Sequence, residues 1–209
     1  MTEKVEELID CAELEKWARQ FDISVPTSGR QKMTYIPKTR AFSSRESLEN
    51  AFSSCPYLVV VFGLDISSVT NTKSMFSSDQ MLETVVLENT GNVTGWYRAF
   101  YKCYNLKSVK TLDFSSATYI DDMFWGCGSL EEVRFVPETI KVSISFVYCS
   151  LLTAESIQSI VDGLATVTTA QTLTLPANLK ILQSQVDSAN AKGWTVAGGT
   201  VVSEEEYYG

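Results

Sequence analysis

The sequence predicts an α/β fold built as a solenoid: stacked units that each lay one strand into a parallel β-sheet and return by an irregular segment. An N-terminal helical cap and a C-terminal helix-strand cap close it. Three observations predict this. Phe52, Phe76, Phe100, Phe124 and Phe146 recur at steps of 24, 24, 24 and 22 residues. Several other columns keep the same spacing, which places the chain among the repeat architectures with periods of about 20 to 50 residues. Both flanks of this region change to helical periodicity.

The columns define the unit. Three residues after each Phe stand Cys55, Asp79, Cys103, Cys127 and Cys149, and six after stand Leu58, Leu82, Leu106, Leu130 and Leu152. Val61, Val85, Val109 and Val133 follow at nine, then Leu64, Leu87, Leu112 and Phe135. A unit this short cannot bury its own apolar side, so successive units must stack, at about 4.8 Å if their strands pair. Segments such as Leu82–Leu87 and Leu130–Phe135 alternate as strands do. The remainder of the unit, for example 64–71 or 112–118, is rich in short polar side chains and turn formers, and predicts a return without a long helix.

Residues 64–76, with Leu64-Asp65-Ile66-Ser67-Ser68 leading to Ser74-Met75-Phe76, resemble the bacterial BspA-like leucine-rich repeats. So do residues 112–130, which carry Asp122-Met123-Phe124-Trp125-Gly126-Cys127 and end on Leu130. The resemblance covers residues 48–152 and rests on the recurring Met/Ala-Phe-x-x-Cys-x-x-Leu core. It implies the leucine-rich-repeat fold and a binding or structural role, and names no ligand. Asp79 in place of Cys, 89–92 in place of the Leu-Asp-x-Ser turn, and the shortened unit at 137–139 depart from the pattern.

A single domain is expected over 1–209: an N-terminal helical cap with a degenerate first unit (1–47), four to five repeats (48–152), a C-terminal cap (153–203) and a tail (204–209). Val5, Leu8, Ile9, Ala12, Leu14, Trp17, Ala18 and Phe21 predict a helix over about 3–21, kinked near Asp10. A loop at 26–32 and a strand at 34–37 follow. At the other end Thr153 caps a helix with Ile157, Ile160, Val161 and Leu164 inward. A strand at 171–175 comes next. Pro176 then opens a second helix carrying Leu179, Leu182, Val186 and Ala189, stopped by Gly193 before a strand at 194–196. Glu204–Gly209 reads as a solvated tail or as a docking segment. The ending from Leu152 to Thr195 is similar to repeat proteins carried by phages and prophages of gut bacteria.

Composition narrows the chemistry. Lys and Arg (17) against Asp and Glu (25) leave a net charge of −8, which disfavours nucleic acid as a partner. No apolar run is long enough to cross a bilayer, so membrane insertion is not expected. The N-terminus has no signal-peptide character, which points to a virion or the cytoplasm, or to the cell surface if a signal has been removed. The chain has no His, and no nucleophile elbow or phosphate-cradling glycine loop appears. No catalytic residue, metal or cofactor is expected. The cysteines suit a ladder of small buried side chains better than a tetrahedral metal site. Reduced thiols are expected, with Cys11 free. Asn92-Val93-Thr94 matches a glycosylation acceptor and is given no role.

Outward strand positions supply the candidate binding face. Val60, Thr84, Ser108 and Glu132 form one row, and Phe62, Val86, Lys110 and Arg134 the next. The second row turns from apolar to cationic along the array. The function expected is a non-enzymatic recognition or assembly protein of a phage or prophage particle. Its partner would be a protein or cell-surface ligand, including other virion proteins. A bacterial surface adhesin is the alternative implied by the repeat type, and an enzyme a third reading.

Overall fold

A computed structural model describes residues 46–208. The expected N-terminal helix, loop, first strand and Cys11 lie outside the described residues. The fold is α/β, with parallel sheets, few helices and no barrel.

Strands β1 (Val60–Asp65), β2 (Thr84–Glu88), β3 (Ser108–Leu112) and β4 (Glu132–Phe135) form one parallel sheet in sequence order. Each column of the repeat becomes a row of the sheet: Val61 pairs with Val85, Val85 with Val109 and Val109 with Val133. The register slips after Phe62 in β1 and after Val109 in β3, so that Leu64 meets Leu87 and Leu112 meets Phe135. The extra residues there, Gly63 and Thr111, have positive φ of 78° and 57°, as bulged residues do.

The segment around each Phe explains why the return contains no helix. Asn50, Phe52 and Ser54 donate their amides to Lys73, Met75 and Ser77 of the next unit. Ser74, Phe76 and Ser78 repeat this to Tyr97, Ala99 and Tyr101. Intervening amides bond back three residues, Ser53 to Asn50 and Ser77 to Ser74. Alternation of this kind needs left-handed residues at fixed places. They occur two before the Phe (Asn50, Ser74, Arg98, Asp122) and two after it (Ser54, Ser78, Lys102, Gly126). Asn, Asp and Gly suit that conformation, while the Ser residues, Arg98 and Lys102 adopt it at a cost of about 1–2 kcal/mol each.

The inward columns form the core. All five Phe, the four column Cys and all five Leu are buried, as are Val61, Val85, Val109 and Val133. The phenyl rings stack along the array with centroids 5.3, 5.6, 5.6 and 5.2 Å apart, the offset geometry that aromatic pairs favour. Cys103 and Cys127 donate their thiols to the carbonyls of Phe76 and Phe100 in the preceding unit, at 2.9 and 3.0 Å. Cys103, Cys127 and Cys149 are free thiols as expected, whereas Cys55 is disulfide-bonded, which corrects the expectation of reduced thiols there.

Beyond β4 a helix, α1 (Ala154–Gly163), stands where a fifth strand would pair. Thr153 caps it by accepting from the Ser156 amide. The Ser156 and Ser159 hydroxyls accept the Val133 and Phe135 amides of β4 at 3.1 and 3.0 Å. One turn of helix therefore satisfies the sheet edge. Pairing then moves to the Phe side: β5 (Ile144–Ser145), β6 (Gln171–Thr174) and β8 (Trp194–Ala197) form a second parallel sheet.

One expectation for this end is corrected. The second helix, α2 (Gln183–Ala191), does not begin at Pro176. Lys180–Leu182 is instead a strand, β7, paired in parallel with β9 (Thr200–Val202). Leu179 and Leu182 are buried from a turn and a strand, because ladder pairing outweighs their helix-like spacing. Residues 204–208 stay exposed except for the half-buried Tyr207. They form a short helix, α3 (Glu204–Tyr208), capped by reciprocal bonds between Ser203 and Glu206. Tyr207 anchors it by donating to the Ala154 carbonyl at 3.1 Å. Gly193 ends α2 as expected, with φ of 88° and no room for a Cβ, which would lie 2.6 Å from the Val167 carbonyl oxygen.

Candidate binding face

The outward rows of β1–β4 come together as a single face. Val60 lies beside Thr84, Thr84 beside Ser108 and Ser108 beside Glu132, while Phe62 lies beside Val86 and Val86 beside Lys110. None of the eight expected face residues is buried. Phe62 is the most apolar of them and is 53% exposed, on the first strand of the sheet among the described residues.

The cationic end of the face is internally compensated. Glu132 takes Lys110 at 3.3 Å and Arg134 at 3.6 Å, and accepts from the Ser108 hydroxyl at 3.0 Å. Partial burial works against its charge. The Ser108 hydroxyl and the two cations outweigh that and hold its pKa below the ordinary carboxylate value. These exposed pairs contribute little stability, but they turn two positive charges into a cluster of net charge +1. The face therefore presents an apolar patch of Val60, Phe62 and Val86 at one end and a hydrogen-bonding cluster at the other.

Three features escape the sequence reading. Asp79 replaces a column Cys and is fully buried; its Oδ1 accepts the Cys55 amide at 2.6 Å, while Oδ2 has no partner. Burial raises its pKa to about 8 against that bond. A cleft of about 450 Å³ opens between β4, α1 and α3, lined by Arg134, Phe135, Glu155, Asp162 and Tyr207 among others. It exists because α3 docks. The third feature is a strip of aromatic side chains beside the Phe column, with Tyr97 against Tyr119 at 5.0 Å and Tyr101 against Trp125 at 4.8 Å. Its signal was present in the sequence, since the residue after each Phe changes from Ser53 and Ser77 to Tyr101 and Trp125.

Burial pushes the thiols of Cys103, Cys127 and Cys149 well above the ordinary range, so at neutral pH they are packing groups rather than nucleophiles. Among the described residues no group of His, Cys, Asp or Glu could hold a metal ion, and no helix is long and apolar enough to cross a membrane. Comparison of the chain with protein-family models, curated proteins and solved structures gives no match.

Proposed function

We propose that the chain is a leucine-rich-repeat solenoid of the BspA-like type and a non-enzymatic recognition module, serving a phage or prophage particle as a recognition or assembly protein. The observation that supports recognition is Phe62, a large aromatic side chain 53% exposed beside Val60 and Val86 on a hydrogen-bonded sheet. Exposed aromatics on a rigid support bind at low entropic cost and are typical interface anchors. The partner this face suits is a protein, on a cell surface or within the particle, with an apolar patch to cover Phe62 and a polar rim to meet the Glu132 cluster. The phage setting is supported by the resemblance of the ending from Leu152 to Thr195. The repeat core supports a second reading, a bacterial surface adhesin.

Saturation binding of fluorescently labelled protein to intact bacterial and epithelial cells tests the face, with Phe62→Asp as the variant. Saturable binding to bacteria that weakens at least tenfold in the variant is expected, together with the protein's presence in purified virions. Binding to epithelial cells with absence from virions would favour the adhesin. Binding undiminished in Phe62→Asp would refute the sheet face.

A further inference from the structure

The sheets of this chain are finished in two different ways. At β4 the helix α1 closes the edge, its Ser156 and Ser159 hydroxyls taking the Val133 and Phe135 amides. At the C-terminal end β8 pairs only with β6 and β9 only with β7, so both strands of the last rung have one edge with no strand beside it among the described residues. The Ala197 carbonyl accepts the Leu175 amide at 2.8 Å, and the Thr200 amide donates to the Leu179 carbonyl at 2.7 Å. Backbone groups alternate sides along a strand, so the amides and carbonyls of Val196 and Val201 point to the open edge.

The inward columns are left open as well. Val196 stands in register with Leu173, and Val201 with Ile181, both fully buried. With no further rung to cover them, Val201 is 51% exposed and Val196 is only partly buried. Edge strands ordinarily carry a lysine, a proline, an inward charge or a bulge that keeps other strands away. From Gly193 to Ser203 the chain has no charged residue and no proline, although charged residues make up 20% of it. The nearest charges are engaged elsewhere: Lys192 turns its ammonium to the Val161 and Asp162 carbonyls, at 3.4 and 3.5 Å, and Asp187 accepts Gln183 Nε2 at 2.8 Å. Tyr207 carries the acidic α3 back onto α1.

We propose that this last rung is a dimerisation surface: a second copy of the chain packs on it end to end, with the two β8 strands pairing antiparallel across a two-fold axis. The occupant is a strand, because the edge offers backbone donors and acceptors at strand spacing beside β-branched side chains. It is a second copy, because the rung is neutral within a chain of net charge −8; other faces of two copies repel one another, and here they meet without that repulsion. A two-fold contact places the same patch on both sides and closes on itself, so growth stops at two. The added copy covers Val196 and Val201 and continues the ladder of β5, β6 and β8. This surface lies apart from the β1–β4 face, so the two can fail separately.

The full chain is followed by sedimentation velocity from low micromolar to submillimolar concentration. A species of twice the single-chain mass is expected, dissociating on dilution, with the Val196 and Val201 amides exchanging at least tenfold more slowly in the concentrated sample. Val201→Lys puts a charge on the open edge, and Val196→Pro removes an outward amide without touching the ladder to β6; urea melts check that both fold. Each should weaken association at least tenfold, and Phe62→Asp should leave it unchanged. A native chain that stays at single-chain mass throughout overturns the proposal, as does a dimer that survives both substitutions in folded protein. Association lost in Phe62→Asp overturns it in favour of the sheet face, and a mass that climbs past two chains overturns the two-fold pairing. Should neither variant fold, the native chain decides alone, since equal exchange of the two amides in dilute and concentrated samples also overturns it.

Discussion

Raising the pH from 5 to 8 should destabilise this protein, and Asp79 is the reason. Its carboxyl is buried in the Cys column, with Oδ2 unpartnered and a folded-state pKa of about 8 against an ordinary value of 3.8. Between those values the native state keeps a proton that the unfolded chain releases. Stability therefore falls with rising pH, at about 1.4 kcal/mol per unit for one group. The contribution is complete below about pH 4 and gone above about pH 8. Over that window the loss approaches roughly 5 kcal/mol, a ceiling comparable with the whole stability of many domains. The groups facing Asp79 do not oppose this: Cys55 offers its amide, and the Cys103 thiol is itself pushed upward by burial and keeps its proton throughout. Glu49, Glu132 and Glu206 have lowered pKa values, so their contributions are lost as the pH falls below the ordinary Glu value of 4.5, beneath the range from pH 5 to 8.

Urea unfolding followed by far-ultraviolet circular dichroism at pH 5, 6.5 and 8 reads this directly, with Asp79→Cys, the residue of the other units, as the comparison. The native chain should lose several kcal/mol across the series, and the variant should be nearly flat. Stability that is level or rising in the native chain, or an equal slope in Asp79→Cys, would refute the assignment of a buried, protonated carboxyl.

Thr111, a β-branched residue in left-handed conformation at the position where the first unit has Gly63, should give a more stable protein as Thr111→Gly, by about 1 kcal/mol in the same urea assay. Ser156→Ala removes the acceptor of the buried Val133 amide along with a donor to the Glu131 carbonyl, and should cost about 1–3 kcal/mol because the Val133 amide is left unpaired in the interior. Phe100→Ala breaks the ring stack between Phe76 and Phe124 and should cost about 3–5 kcal/mol, read as a lowered thermal midpoint. Tyr207→Phe deletes the bond to the Ala154 carbonyl and should free α3, seen as faster amide exchange at 204–208 with the repeat amides unchanged.

Much of this architecture was legible because the inward columns answer to one requirement, burial at a fixed step. Phe, Cys, Leu and Val repeat visibly, and the helix at Thr153 announces itself by cap and stripe. Other features hide for identifiable reasons. Leu179, Leu182 and Val186 have helical spacing, so nothing local shows that 180–182 will pair with 200–202, a contact made possible by the reversal at Gly198 and Gly199. The run Glu204–Glu206 reads as solvated charge, although Ser203 and Glu206 have the spacing of a capping box. Left-handed positions are suggested by Asn50, Asp122 and Gly126 but concealed by Arg98 and Lys102, whose residue types do not favour that conformation. Asp79 is visible as a departure from the column, yet its protonation depends on a missing partner that only three-dimensional packing reveals.

The outward columns carry a different kind of information, because the stack tolerates almost any residue there. Differences between units then become more informative than their likeness. On the sheet, the first two units supply Val60, Phe62 and Val86, while the third and fourth supply Ser108, Lys110, Glu132 and Arg134, largely satisfied by one another. Beside the Phe column the order reverses: Ser53 and Ser77 come first, then Tyr101 and Trp125, with Val147 in the fifth unit. Each half of the array is therefore plain on one surface and specialised on the other. A shared requirement of folding would have altered the same units on both surfaces together. The two surfaces therefore vary independently, each in its own units.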